Sequence, residues 1–413
     1  MNPAHFEPTD FPPEMLLLLF CCYSTSTETQ SQNIGAVIQQ GINWAEFIQL
    51  AHYHQVLPLV YHNLQKHAAN NIPPLPLSRL KAKSTKQKIH ALKLTAELVY
   101  LVKLLAEQGI QVISLKGPLL AQHWYGDISL RHFIDIDLLV AGQDIQKIHA
   151  LLIQEGYHTA HPEIFSSALH WQVFKNSKHH VPYHHYPKSI ELELHFRLFK
   201  NAHVFPNHEL NAWHRTQTLD YAGVTFNLLE PIDNVLFLLI HGAIHQWQYL
   251  KWLVDIAEWS GSPYCDWEKL YQRAQELGLE RPVLQGMLLL NHLFQIPLPP
   301  FFATLHRGST VSKLFSHALT VIKKSRAHVK GGFLFACRER IYLWKLKRGL
   351  RYKLRYVRDL FYLDSHRHIL RLPAFLFPLY IILNPFLWFY KNYLMHRILS
   401  PSKLKKETVA KKC

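Results

Sequence analysis

The sequence predicts an α+β protein in which a small sheet is flanked by helices, with further helical regions toward both ends of the chain. Three observations carry this reading. Apolar residues recur at helical spacing from about residue 12 to 108. A short strand-like run follows at 109–115, and alternating runs follow at 133–140 and 189–197. Beyond Pro231 helical spacing returns, through 232–239 and 241–259.

In chain order, Met15 to Cys22 is the apolar core of a first helix. That run is too short, and Met1 to Asp10 too poor in basic residues, for a secretory leader, so none is expected. The polar Ser24–Asn33 stretch and the proline-bearing Ala68–Pro76 stretch interrupt the helical lead-in. Leu92 to Gln108 keeps strong helical spacing and runs into the first strand-like segment, which places the core at 92–225, after a helical N-terminal region over 1–91. A helical domain is expected at 226–310, a basic, aromatic region with an apolar segment at 311–399, and a disordered tail at 400–413.

The chemistry concentrates in the core. The strand-like run Gly109 to Leu115 stops at Lys116-Gly117-Pro118, and proline near the start of the following Leu119-Leu120-Ala121 marks a helix start, where its missing N–H costs little. A helix opening in this way leaves backbone N–H groups free for phosphate, with Lys116 adding a point charge. Some eighteen residues on comes Phe133-Ile134-Asp135-Ile136-Asp137-Leu138-Leu139-Val140. In a strand Asp135 and Asp137 leave one face while Ile134, Ile136 and Leu138 enter the core. Two like charges on a half-buried face are tolerated mainly where cations compensate them, and a divalent metal is the simplest such cation. A third acid is expected on a neighbouring strand. In Ser189 to Arg197 the residues Glu191, Glu193 and His195 share a face, and Glu193 is the candidate.

These segments resemble the uncharacterised nucleotidyltransferase family of the DNA polymerase β-like nucleotidyltransferase superfamily. The resemblance rests on Leu115-Lys116-Gly117 with Leu120, Tyr125-Gly126-Asp127 leading to Leu130-Arg131, Asp135 to Val140, and Glu193 to Arg197. It extends upstream to Trp44 and Val56–Tyr61, and downstream to His241 and Leu250–Ala257. It implies a small mixed sheet, with Mg²⁺ or Mn²⁺ held by Asp135, Asp137 and Glu193 as metal ligands and catalytic residues. A nucleoside triphosphate, ATP as first candidate, would contact Lys116 and Gly117, and Arg131 would either neutralise phosphate or orient Asp135 through a forked pair. The implied reaction is displacement of pyrophosphate by a hydroxyl acceptor that the sequence does not identify. Gly117-Pro118 departs from the usual Gly-Ser or Gly-Gly, and Glu193 stands where aspartate is common.

Composition frames this core. The 413 residues are 48% hydrophobic and 13% aromatic, enough for substantial buried cores. The five cysteines, Cys21, Cys22, Cys265, Cys337 and Cys413, have no metal-ligand spacing and fit a reducing, cytoplasmic compartment better than a disulfide framework. Of the 29 histidines, His179-His180 and His184-His185 flank Val181-Pro182-Tyr183, expected as a short polar loop or hairpin near the substrate mouth, with a transition metal as the alternative. His241 and His245 share a helix face without a metalloprotease motif and are expected to pack or to face the acceptor. His195 is placed either to assist at Glu193 or to make a structural hydrogen bond.

The net charge of +16 is concentrated between Lys323 and Arg358, with tyrosines and Trp344 interleaved. Such a segment suits an anionic membrane surface or, less well, nucleic acid. The uncharged run Leu372 to Tyr390 is broken by Pro373, Pro378 and Pro385 and reads as an interfacial or re-entrant anchor or as the apolar face of a packed helical subdomain, ahead of a true span; the anchor would make a cytoplasmic protein peripheral to the inner face of a membrane. Three function classes follow: a nucleotidyltransferase, a membrane-surface scaffold or pseudoenzyme with that fold, and an RNA-binding modifier.

Overall fold

A computed structural model describes residues 11–22, 28–205, 212–305, 308–323, 333–361, 370, 376 and 379–390. Five helices lead in: α1 (Pro13–Cys21), α2 (Glu28–Gln39), α3 (Trp44–Tyr53), α4 (Leu57–Ala68) and α5 (Pro74–Glu107). The polar stretch expected to break the lead-in at 24–33 is helical from Glu28 onward. Strand β1 (Val112–Leu115) then feeds α6 (Gly117–Leu120), which continues as a π turn over Ala121–Tyr125.

The sheet is completed by β2 (Asp135–Val140), β3 (His158–Thr159), β4 (His180–His185), β5 (Ile190–His195), β6 (Thr216–Tyr221) and β7 (Val224–Leu229). Helices α7 (Ile145–Gln154) and α8 (Ala168–Ser177) lie between the strands in sequence. The seven strands run β3-β4-β5-β2-β1-β7-β6. Pairs β2–β5 and β1–β7 are parallel and the remaining pairs antiparallel, so the sheet is mixed, as the family resemblance implies.

One face of the sheet is covered by α5 and α7. Ile136, Leu138, Leu192 and Leu194 meet Leu94, Leu98 and Leu105 of α5 and Ile148 of α7 in a closed apolar core. Each fully buried side chain of this kind contributes about 1.5–3 kcal/mol. That core takes up α5 only from Ala91 onward, while the first part of the same continuous helix packs elsewhere through Leu80. At the other end β7 carries the sheet to Leu229, four residues past the expected limit of 225.

The opposite face meets a helical layer: α9 (Pro231–Ile244), α10 (Lys251–Ser260), α11 (Trp267–Leu277), α12 (Glu280–Phe294), α13 (Phe302–Leu305) and α14 (Ser309–Lys323). Glu230 caps α9 by accepting from the amides of Ile232 and Asp233 at 3.2 Å, and Pro231 occupies the first turn where no N–H is needed. The segment expected to form an amphipathic helix is buried nearly all round in α9, because α10, α11 and α12 surround it.

Three further helices follow: α15 (Phe333–Leu346), α16 (Leu350–Phe361) and α17 (Tyr380–Phe389). The basic, aromatic segment is not uniformly solvated. Tyr342 and Tyr352 are buried, and the Lys347 ammonium donates to the carbonyls of His203 and Val204 at 2.8 and 3.0 Å. Those two tyrosines are therefore unavailable as stacking platforms for nucleic acid. Among the described residues no helix is long and apolar enough to cross a membrane. Cys21, Cys22, Cys265 and Cys337 are free thiols. Met1 to Asp10, most of 362–378 and the tail expected to be disordered lie outside the described residues.

Candidate active site

The site is built by strand register. In the parallel pair β2–β5, Asp135 lies opposite Glu191 and Asp137 opposite Glu193, while Leu115 at the end of β1 flanks Asp137 on its other side. Because side chains alternate, the same register that drives Ile136, Leu138, Leu192 and Leu194 into the α5 core turns Asp135, Asp137, Glu193 and His195 to the other face. Ile134 does not follow the expected alternation. It precedes β2, is 47% exposed, and lines the cavity beside the acids.

Asp137 is the most heavily compensated acid. Its Oδ1 lies 3.0 Å from His195 Nε2 and 3.3 Å from Lys116 Nζ, and the residue is only 3% exposed. Burial opposes its ionisation, but Lys116 and the hydrogen bond from His195 hold its carboxyl well below the usual aspartate range. His195 Nε2 also lies 3.2 Å from Glu193 Oε2, so one imidazole bridges the two acids. Burial favours the neutral ring, yet Asp137 and Glu193 together lift its pKa to about 9. Asp135 makes no hydrogen bond or ion pair among the described residues. Burial and the Asp137 carboxylate push it up to about 6.

Lys116 reaches Asp137 from an unusual backbone. Its φ of 49° and ψ of −138° lie where side-chain-bearing residues are rare, and Gly117 follows at φ 60°. A Cβ on Gly117 would meet no atom within 4 Å, so glycine serves the conformation and leaves the backbone open. Burial acts against the Lys116 ammonium, but Asp137, Asp135 and Glu193 raise its pKa above the ordinary lysine value.

Arg131 does not fork onto Asp135. Its Nε and Nη2 donate to Asp255 Oδ1 and Oδ2 at 2.7 and 2.8 Å, and Tyr125 Oη donates to the same Oδ1 at 2.7 Å. Asp255, at 0% exposure on α10, thereby clamps the loop between the π turn and β2 onto the helical layer. Sequence reasoning left Asp255 without a role, together with Lys251 one turn earlier. The Lys251 ammonium lines the same cavity, and burial and the nearby Arg131 lower its pKa to about 8. The available signal was an i,i+4 Lys–Asp pair inside the apolar run Leu250–Ala257.

Sheet and helices enclose a cavity of about 670 Å³. Its floor is the acid face with Lys116, Gly117 and Arg131; α9 contributes Phe237 and His241, with His245 at its C-terminal cap; and α15 and α16 add Leu343, Tyr352 and Tyr356. The two histidines do face the cavity, their rings 4.6 Å apart and packed on Trp252. Burial and Lys116 push His241 well below its usual value and His245 down to about 4. Of the two forms open to the segment around Val181-Pro182-Tyr183, a loop or a hairpin, the structure has the hairpin: 180–185 form strand β4 paired with β5, which brings His179 and His180 against His195.

A cluster of carboxylates on two paired strands, beside a lysine at a glycine turn, is suited to hold divalent cations against a polyphosphate. Ligand atoms of Asp137, Glu193 and His195 lie within 4.8 Å of one another, with Asp135 outside this closest trio. Residues 40–295 match the family described as uncharacterised nucleotidyltransferase. The chain belongs to that family. The match spans every element that carries the acid face, Lys116, Arg131 and Asp255, whereas α15 and α16 of this nucleotidyltransferase lie beyond it. Comparison with curated proteins and with solved structures returns no match.

Proposed function

We propose that this nucleotidyltransferase moves a nucleoside monophosphate from a nucleoside triphosphate, ATP as first candidate, to a hydroxyl acceptor with release of pyrophosphate. Mg²⁺ or Mn²⁺ would be held by Asp135, Asp137 and Glu193. The observation that carries the reading is the register that sets Asp137 opposite Glu193, with Asp135 on the same face and Lys116 3.3 Å from Asp137.

The donor set fits hard divalent ions. It offers carboxylate oxygens, and its least compensated member, Asp135, is an unpaired acid whose ionisation is opposed by burial and by its neighbour. Lys116 and His195 bring two positive charges to three carboxylates, so a cation relieves repulsion that the protein alone leaves in place. When bound, the ions neutralise phosphate charge and acidify the acceptor hydroxyl.

The chain's own groups position the reactants. Lys116 and the Gly117 backbone bind phosphate at the end of β1, and Lys251 adds a second ammonium from α10. Arg131, locked by Asp255, contributes fixed positive charge and not a mobile fork. Phe237, Tyr352 and Tyr356 exclude water from the cavity and present an apolar wall to the acceptor. A cavity of about 670 Å³ is large enough for a nucleotide and part of an acceptor.

The test is incubation with nucleoside triphosphates labelled at the α-phosphate, with Mg²⁺ or Mn²⁺, and lipid, sugar and protein fractions as acceptors. Label transferred by the wild-type chain and lost in Asp135→Asn and Glu193→Gln supports the reading. Equal labelling by the variants overturns it.

A second reading concerns location. Exposed Leu350 and Leu354 alternate with exposed Arg351 and Arg358 on α16, and α17 beside it exposes Ile382 and Phe386 one turn apart. We propose that this face rests on an anionic membrane surface. Pelleting with phosphatidylserine vesicles, lost at high salt and in Leu354→Asp, is the expected result; equal recovery in the supernatant with and without vesicles rejects it.

A further inference from the structure

We propose that His179, His180 and His195 form a binding position for a divalent ion that favours imidazole, such as Zn²⁺ or Co²⁺, beside the carboxylate site. Ring nitrogens of the three residues lie within 4.8 Å of one another. His179 Nε2 and His180 Nδ1 are already 3.4 Å apart, close to the separation of about 3.3 Å that two nitrogens have when both bind one tetrahedral Zn²⁺ at ordinary bond lengths.

The backbone holds this arrangement. His180 lies directly opposite His195 in the antiparallel pair β4–β5. The His179 carbonyl accepts from the amides of Phe196 and Arg197 at 3.0 and 3.2 Å, and the Arg197 guanidinium donates to the carbonyls of Lys175 and Lys178 just before it. His195 is 3% exposed, and its Nδ1 has no hydrogen-bond partner among the described residues. That nitrogen is therefore open to a ligand, and the closeness of the three rings is what singles out this position.

Glu193 Oε2 stands 3.6 Å from His180 Nδ1 and 3.2 Å from His195 Nε2, so one carboxylate oxygen reaches both the imidazole position and the acid site. A shared carboxylate is the usual link between adjacent ions. Three nitrogens select against Mg²⁺, which takes oxygen ligands and water. The inference stands apart from the transfer reaction, since it concerns ion binding alone.

The experiment titrates Co²⁺ into the untagged, EDTA-treated full chain and follows the visible ligand-field absorption. One tight equivalent is expected, displaced by Zn²⁺ and unaffected by excess Mg²⁺. His179→Gln/His180→Gln should weaken it by about tenfold or more, while His184→Gln, on the same strand but outside the cluster, leaves it unchanged. Melting curves in EDTA establish that each variant folds, and single His180→Gln replaces the double variant if that one does not. No tight equivalent, a band that survives loss of both histidines, or displacement by Mg²⁺ overturns the proposal. Label transfer with Mg²⁺ but no cobalt band rejects this site alone; a cobalt band without label transfer rejects the transferase reading alone.

Discussion

Arg131 and Asp255, 124 residues apart in sequence, meet as a buried forked ion pair. The pair joins the loop entering the acid strand to the helical layer that closes the cavity, and the Tyr125 hydroxyl completes the coordination of Asp255. Removing one partner leaves the other charge buried and unmatched. Asp255→Asn and Arg131→Met are each expected to lower unfolding free energy by about 3 kcal/mol or more. The double variant Arg131→Met/Asp255→Leu should lose less than the sum. Urea denaturation of all three checks this, and simple additivity would count against the pair.

The two aspartates of β2 are predicted to behave oppositely when neutralised. Asp137 is the nearest acid to both Lys116 and His195, so Asp137→Asn removes the main partner of each, leaves Glu193 alone on His195, and should destabilise the ion-free chain by about 1–3 kcal/mol. Asp135 is unpaired and its carboxylate is disfavoured where it sits, so Asp135→Asn should leave the melting temperature unchanged or raise it. Both should abolish transfer. Calorimetry in EDTA, alongside the label assay, separates the two effects.

His195 makes stability depend on pH. Its pKa is raised from 6.5 to about 9 in the folded chain, so the folded state holds the proton more tightly than the unfolded state does. The resulting stabilisation is complete below about pH 6.5 and is lost as pH rises through about 9, at up to about 1.4 kcal/mol per pH unit. In EDTA, the stability gap between the wild-type chain and His195→Gln should therefore narrow between pH 7 and pH 10. A gap that widens over that range contradicts the assignment.

Gly242 lies between the cavity-facing His241 and the buried Trp247. A Cβ there would come 2.4 Å from the Trp247 ring, which has no exposure and no space to retreat. Gly242→Ala is expected to cost about 1–3 kcal/mol by overpacking and to displace His241 toward the acids. Thermal melting measures the first effect. The second should appear as a changed KM in the transfer assay.

Much of the acid-bearing face of the sheet was legible along the chain. Alternation placed Asp135 and Asp137 on one face, and the same pattern put Glu193 and His195 together, because a strand has a period of two and one face must enter a core. Lys116-Gly117-Pro118 announced a strand-to-helix turn by local chemistry. Periodicity failed where neighbours decided the outcome. Nothing local distinguishes α9, buried on nearly every side, from an amphipathic surface helix, and nothing local chooses between loop and hairpin for 180–185, which pair as a strand with β5.

Amino-acid order alone thus determined which acids share a face, which residues form the Lys116-Gly117-Pro118 turn and which family the chain resembles, since these depend on neighbours two to four positions apart. Only the tertiary structure decided that Arg131 turns to Asp255, that Lys251 and the aromatic residues of α15 and α16 wall the cavity, and that His179 and His180 stand against His195. Those contacts join residues many tens of positions apart, and the register and packing that create them are selected by the burial of the whole core, which no local pattern contains.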